Sequence, residues 1–453
     1  MTPRRNTRRR FLAASSATAF AAAMAGCTDF LSDEDDDDDD GNGDDDGNGD
    51  DDGNGDDDGN GENGDEYDSP ELQVETEYNS REEFRQPGDQ LNDFETDDDW
   101  SVLEGEAEMD DEFSFDGEQS IHLMAEDEDN AAVATELDEA TDMEDLDLSV
   151  AVQTTTPHNI ALEIQLRDIY GGYASYMLPS ISYGDENPGW FRMCPGFADE
   201  STTPVEQDAV DEIRLVVHNT GDEAEVWFDD LRTHEKADEG YVILCWDDGF
   251  DDFYEPAGEL HDEYDVNAVQ AAVRQWTRDQ RDGIMTIDQL LERQEAGDQI
   301  VAHGTHTQLT DLSEEEVDDA LNTDKNWAVN NELEGGHYIV FPHNDFDQQV
   351  LDVASNYYYA GGFNQAGSPN LTGVHGFDPL VIPRTIGHDL DIAMQCVDAA
   401  AEHNQCTVLN FHDFDLDNTM DVDDYEDLLE YINESDVEVI DFDDLWAMRR
   451  NGH

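Results

Sequence analysis

One short segment limits the fold more than any other. Tyr241-Val-Ile-Leu-Cys-Trp246 is an apolar run that stops abruptly at Asp247-Asp248-Gly249-Phe250. A short apolar run bounded by a turn signal reads as a buried strand. In an α/β fold, the residues at the carboxyl end of such a strand face the cleft where ligands sit. Two carboxylates there can divide the work, one holding a cation and the other accepting a proton. Acidic pairs are cheap in this chain, because Asp and Glu make up 117 of 453 residues. The pair gains weight from two histidine elements downstream of it. His303-Gly-Thr-His306 has the spacing of cation ligands, and a second apolar strand, Thr407-Val-Leu-Asn-Phe411, ends in His412.

The acidity is itself a constraint. The formal net charge is −97, with two lysines (Lys236, Lys325) and eighteen arginines. Self-repulsion on that scale destabilises a compact state at low salt. At molar salt the screening length falls to ~3 Å and the penalty largely disappears. The composition therefore points to a hypersaline medium, with a cationic partner as the competing reading. Nucleic-acid binding is disfavoured, since no basic patch exists to release counterions. Of the five cysteines, Cys194, Cys245, Cys396 and Cys406 are available for pairing outside the cell, with no connectivity fixed by sequence. Cys245, inside the strand before the carboxylates, reads as a small core residue.

Residues 1–27 read as an export leader. Thr7-Arg8-Arg9-Arg10-Phe11-Leu12 followed by an Ala-rich stretch has the form of a twin-arginine (Tat) signal. The apolar stretch is too short to span a membrane. Met24-Ala25-Gly26-Cys27 resembles a lipobox, so Cys27 is the expected lipidation site. The expected location is the outer face of the cell membrane, reached by the Tat route, with an anchor that is weak unless the lipid carries two chains. Residues 28–69 form an acidic linker with Gly-Asn-Gly-Asp-Asp-Asp repeated three times in tandem. It lacks the apolar residues needed to offset ordering, which predicts disorder. A flexible coil of that length spans ~35 Å and would hold the rest of the chain off the membrane.

Two further domains are expected, the length being ample for both. Across residues 70–236, short alternating runs such as Ser120-Ile-His-Leu-Met124, Leu148-Ser-Val-Ala-Val152, Ile160-Ala-Leu-Glu-Ile164 and Ile213-Arg-Leu-Val-Val217 are separated by Gly, Asp and Asn turns. That spacing predicts an all-β antiparallel sandwich of jelly-roll type. Its closing strand, Ala224-Glu-Val-Trp-Phe-Asp-Asp-Leu231, resembles the last strand of carbohydrate-binding jelly rolls. That resemblance implies a structural Ca²⁺ to which Asp229 or Asp230 would contribute. Tyr170, Tyr173, Trp190 and Phe191 are candidates for stacking on sugar rings, or simply for packing the sandwich. Across residues 237–453 the rhythm changes, and apolar strands alternate with helical stretches such as Met285–Glu292 and Ser313–Ala320. Ser313 with Glu316 has the form of a capping box. Strand followed by helix predicts an α/β domain built on a parallel barrel or open sheet.

Three ordered motifs in residues 240–450 resemble the NodB-type polysaccharide deacetylases, carbohydrate esterase family 4. They are Trp246-Asp247-Asp248-Gly249, Ile300-Val-Ala-His303-Gly-Thr-His306, and the strand ending in His412-Asp413. The resemblance implies a distorted (β/α) barrel shorter than the eight-unit standard. It implies that Asp248, His303 and His306 hold a divalent metal, Zn²⁺ by preference, with positions left open for water and substrate. Asp247 becomes the general base and His412 the general acid, a task suited to a group titrating near working pH. Phe341-Pro342-His343-Asn344 resembles the poly-N-acetylglucosamine subgroup, with His343 offering a backbone N–H to the oxyanion and its ring, beside Pro342, facing the sugar. Asn344 stands where that subgroup has glycine, a replacement that tolerates positive φ. Arg384 is the candidate cation that holds Asp247 ionised. The two histidines are three apart where the family usually has four, which implies a one-residue deletion in their loop. His337, His375, His388 and His403 match no motif and are read as structural. The implied function is hydrolysis of N-acetyl groups on an extracellular acetylated polysaccharide. An O-acetyl esterase using the same site, or a sugar-binding lipoprotein with an inactive barrel, are the alternatives.

Overall fold

Between Ser101 and Glu235 the alternation of side chains is realised as two antiparallel sheets. The computed structural model describes residues 71–96, 99–126, 129–184, 189–304, 307–414 and 419–451; the leader with Cys27 and the acidic linker lie outside them. One sheet runs in the order Glu106–Asp110, Ser120–Glu126, Glu223–Glu235, Leu146–Thr154 and Phe191–Met193, with Asp89–Asn92 also on Glu223–Glu235. The other runs Gly196–Glu200, Tyr173–Leu178, Ile160–Asp168, Val210–Asn219, Ala131–Thr141 and Ser101–Glu104. The apolar core between them takes every second residue of each strand: Leu123, Val150, Val152, Val226 and Phe228 against Leu162, Ile164, Ile213, Leu215 and Val217. Each such side chain contributes about 1.5–3 kcal/mol by leaving water. Phe191 belongs to this core at 2% exposure, so it stacks on no sugar, whereas Tyr170 is 73% exposed.

Asp229 and Asp230 depart from the calcium expectation. Both are fully buried at a bulge in the Glu223–Glu235 strand, with Asp230 at φ 49°. Asp229 accepts the backbone N–H groups of Phe115 at 2.8 Å, Asp116 at 3.0 Å and Asp230 at 2.7 Å. Asp230 is ion-paired with Arg192 and Arg232 and accepts Gln90 Nε2 at 2.8 Å. Their oxygens face donors of the chain itself. The Arg192 and Arg232 guanidinium groups supply positive charge to Asp230, while Asp229 meets backbone donors.

From Gly240 the strands become apolar on both faces and pair in parallel, as in a sheet covered by helices. Their order is Ala360–Gly361, Tyr338–Ile339, Gln299–Ala302, Val269–Ala272, Gly240–Trp246, Cys406–Phe411, Ile382–Ile386 and Phe363–Ala366, with Val437–Val439 also on Gly240–Trp246. The two ends of that order are neighbours in the chain, joined only by Gly362. Its N–H donates to Ile339 O at 2.8 Å and its carbonyl accepts Ile382 N at 3.0 Å, which closes the sheet into a near-barrel. A β-carbon on Gly361, at φ 127°, would lie 1.9 Å from Ile339 O, so that seam requires glycine. Ile243, Cys245, Val301, Val340, Ile382 and Val408 fill the interior. Val242, Leu244 and Leu409 face helices such as Leu390–His403 and Val422–Glu434. Glu316 accepts the Ser313 N–H at 2.9 Å at the start of the Glu314–Asn330 helix, as the capping box requires.

The sandwich is fastened to the barrel rather than hung beside it. Asn364 on the Phe363–Ala366 strand donates to Ser180 O and accepts Ser182 N, both at 2.7 Å. Tyr183 packs on Phe346 with ring centroids 5.5 Å apart. Ahead of the sandwich, Phe84 packs on Trp446 at 5.1 Å, and Arg81 grips Asp378 through Nε and Nη2. The described residues, from 71 onward, belong to one compact unit. Cys194, Cys245, Cys396 and Cys406 are all buried and unpaired. Among the described residues, no helix is long and apolar enough to cross a membrane.

Candidate active site

The period of a strand brings the site together. Ile243 and Cys245 point into the barrel, so the next residue on that face, Asp247, does too. The same count takes Val301 to His303, Val340 to Pro342, Ile382 to Arg384, and Val408 through Asn410 to His412. Five strands thus deliver inward residues to one end of the barrel, Arg384 from within its strand and the others from just past their strand ends.

Asp247 is 3% exposed and is held at both oxygens by Arg384, Nη1 to Oδ1 and Nη2 to Oδ2, each 3.0 Å. This bidentate pair is the strongest form of carboxylate recognition a side chain offers. Burial alone would raise the Asp247 pKa, but the charges of Arg384, His303 and His412 outweigh it and hold the group below the usual carboxylate range. Arg384 is buried as well, and Asp247 and Cys245 keep its pKa above the ordinary value despite that burial. Its guanidinium lies 4.5 Å above the Phe363 ring and donates to Asn344 Oδ1 at 2.7 Å. In the sequence Asn344 reads only as a stand-in for glycine. Its φ of 53° agrees, yet its side chain also braces the arginine, a role that no local signal announces.

Asp248 turns the other way. Its φ of 72°, followed by Gly249 at 82°, bends the chain so that its carboxylate meets His303, with Oδ1 3.4 Å from Nε2. A non-glycine residue in this region costs about 1–3 kcal/mol and persists where the surroundings fix it. The other ring nitrogen of His303, Nδ1, is 3.0 Å from Val340 O. That contact fixes the tautomer and leaves Nε2 for the cleft, the arrangement typical of a metal-ligating histidine. Burial lowers the His303 pKa, but the Asp248 hydrogen bond and the Asp247 and Asp248 charges prevail and raise it, so the place suits a cation. The donor set fits a divalent metal. His306, the third expected ligand, lies outside the described residues; among those described, no group of three or more His, Cys, Asp or Glu forms a complete cation site.

His412 Nε2 is 3.9 Å from Asp247 Oδ2, with its side chain 20% exposed. Pro342 is buried, and His343 follows it exposed on a left-handed turn at φ 59°. His388, read as structural, packs against the general-acid candidate instead, with the two imidazole centroids 5.6 Å apart at 73°. His388 Nε2 and His412 Nδ1 are both buried and lack a hydrogen-bond partner among the described residues. Burial, then the His412 charge, push His388 down to about 4 against the pull of Asp247, so it is neutral at working pH. Only its place two residues beyond the Arg384 strand could have flagged it.

Residues 234–362 match the family model described as polysaccharide deacetylase. The chain carries a polysaccharide deacetylase domain. Deacetylases of this kind are hydrolases acting on acetylated polysaccharides, and they are generally dependent on a divalent metal. The matched span holds Asp247, Asp248, His303 and His343, while Arg384 and His412 lie beyond it. A search of curated proteins finds no match to the chain. Among solved structures, it is similar to a Streptococcus pyogenes deacetylase in complex with acetate, at 21% identity and TM-score 0.29, over 32% of this chain and 64% of that one. It is also similar to the peptidoglycan deacetylase PdaC from Bacillus subtilis, at 13% identity and TM-score 0.33, over 47% and 93% of the two chains. A family 11 carbohydrate-binding module from a Clostridium thermocellum cellulase matches at 14% identity and TM-score 0.25, over 33% of this chain and 94% of the module.

Proposed function

We propose that the deacetylase domain removes N-acetyl groups from an extracellular polysaccharide of the poly-N-acetylglucosamine type. The observation that carries this reading is a buried, arginine-ionised carboxylate, Asp247, set between an Asp248–His303 cation corner and His412. A divalent metal, zinc in this reading, would be held by Asp248, His303 and His306 and would supply Lewis-acid polarisation of the acetyl carbonyl. The rest falls to the chain's own groups. Asp247 takes a proton from the attacking water, and Arg384 with Asn344 keeps its carboxylate ionised and oriented. The His343 backbone N–H, on its left-handed turn after Pro342, faces the developing oxyanion. His412, beside Asp247, gives a proton to the departing amine as the general acid.

In the same reading the antiparallel sandwich is a jelly roll that seats the barrel on polymer. The leader exports the chain, Cys27 anchors it to the membrane, and the acidic surface suits molar salt. The test is acetate release from N-acetylglucosamine oligomers in molar salt, comparing wild type with Asp247→Ala. Loss of a general base should cost on the order of 10²–10⁴-fold. Equal release by the two proteins would sink the assignment, and release from O-acetylated xylan alone would replace the amide substrate by an ester.

A further inference from the structure

Beside the cation corner lies an aromatic pair that the proposed mechanism does not use. Phe250 follows Asp247-Asp248-Gly249 directly, and Trp276 lies on the short Arg274–Arg278 helix that follows the Val269–Ala272 strand. Both rings are half-buried, with centroids 6.4 Å apart and planes at 53°. The exposed Arg281 guanidinium lies 4.6 Å above the Trp276 ring.

The backbone ties this pair to the catalytic turn. Met285 N donates to Gly249 O and Asp251 N to Gly283 O, each at 2.9 Å, and Phe250 bridges to Ile284. Arg281 N donates to Trp276 O at 3.1 Å and Ile284 N to Arg281 O at 3.2 Å. The loop bearing Arg281 is therefore registered on the residues that flank Asp248. Rings left partly in solvent forgo part of the burial energy that placing them in the core would give. A cation–π contact at an exposed site returns only ~0.5–1 kcal/mol. An aromatic face held rigidly beside a carbohydrate-processing site has the shape and chemistry to take the apolar face of a pyranose.

We propose that Phe250, Trp276 and Arg281 form a saccharide subsite, which stacks the sugar next to the one being deacetylated while Arg281 donates hydrogen bonds to its hydroxyl or acyl oxygens. The subsite rests on the deacetylase reading for its substrate class, but binding tests it separately. The probe is the N-acetylglucosamine pentamer, titrated calorimetrically into the full chain in molar salt and assayed for acetate release. Trp276→Ala should weaken pentamer binding and raise its KM roughly five- to tenfold, with kcat held. Arg281→Ala should give a smaller rise, and Trp276→Phe, which keeps a ring, should stay near wild type. Should the alanine variant fail to fold, Trp276→Leu fills the volume without a π face and should show the same KM rise. Pentamer binding indifferent to Trp276, or a loss in kcat with KM unmoved, overturns the subsite. Wild type that binds pentamer through Trp276 yet releases no acetate would overturn the deacetylase reading and leave the subsite standing. Wild type that neither binds nor cleaves the pentamer overturns both.

Discussion

Two Asp-Asp pairs among the described residues, one in each sheet system, look alike in sequence and have opposite fates. In the sandwich, Asp229 and Asp230 sit at a strand bulge; in the barrel, Asp247 and Asp248 sit at a strand end. Each pair has its second residue at positive φ, and each has one carboxylate gripped by arginine. The difference lies in the other carboxylate. Asp229 is fully buried and spends its oxygens on three backbone N–H groups. Asp248 keeps 24% of its side chain exposed and faces His303. A saturated pair is a structural joint, whereas a pair with one open member can bind and react. The composition cannot distinguish them; the count of N–H donors around each oxygen does.

That contrast is tested most severely by removing one member of each pair. Asp248→Ala takes away a cation ligand and should lower acetate release by more than the ~10–100-fold typical of losing a partner one shell out, with bound metal lost in parallel. Asp230→Ala should leave release per folded molecule and metal content intact, while lowering the unfolding midpoint. If Asp230→Ala protein that is fully folded loses metal or activity as well, the two pairs do not differ as described.

The arginines sharpen the same point at smaller scale. Arg192 and Arg384 are both buried against an aspartate. Arg192→Met strands Asp230 with one cation fewer and should cost about 3–5 kcal/mol of stability, read from denaturant midpoints. Arg384→Met should instead show chiefly in kcat, about 10–100-fold lower, because the carboxylate it orients is the one that handles the proton. Comparable kcat losses in both variants would erase the distinction.

How much of this is legible in the sequence depends on range. The inward row Ile243, Cys245, Asp247 is set by a period of two, a local property, and the rows ending in His303, Arg384 and His412 obey the same count. Strand followed by helix is equally local, and the near-barrel grows out of it. What escapes the sequence is long-range. Asn344 braces Arg384 across 40 positions, and His388 meets His412 from a separate strand end. The partners of Asp230 escape the sequence for the same reason. Two acids next to each other call for positive charge, but the sequence does not reveal that Arg192, 38 positions away, supplies it. Likewise Phe84 finds Trp446 from the far end of the chain.

The smallest expected effect is also the one that isolates the structural pair from every other charge. Burial pushes Asp229 up to about 6 from an ordinary 3.8, against the pull of its backbone N–H donors. Between those values the folded chain binds more protons at this site than the unfolded chain. Stability from Asp229 is therefore fully present below pH 3.8 and is lost as pH rises toward 6. Asp229→Asn carries no such proton, so wild-type stability relative to the variant should fall by on the order of 1–3 kcal/mol between about pH 4 and 6.5. The many other carboxylates titrate in both proteins and cancel in the difference. Denaturant midpoints in molar salt supply the number, and exchange of the Phe115 and Asp116 amides localises it. A wild-type-minus-variant difference that stays flat across that window would mean that Asp229 is ionised as readily as an exposed acid. The sandwich pair would then be as open to charge as Asp248, and the contrast between the two pairs would fail.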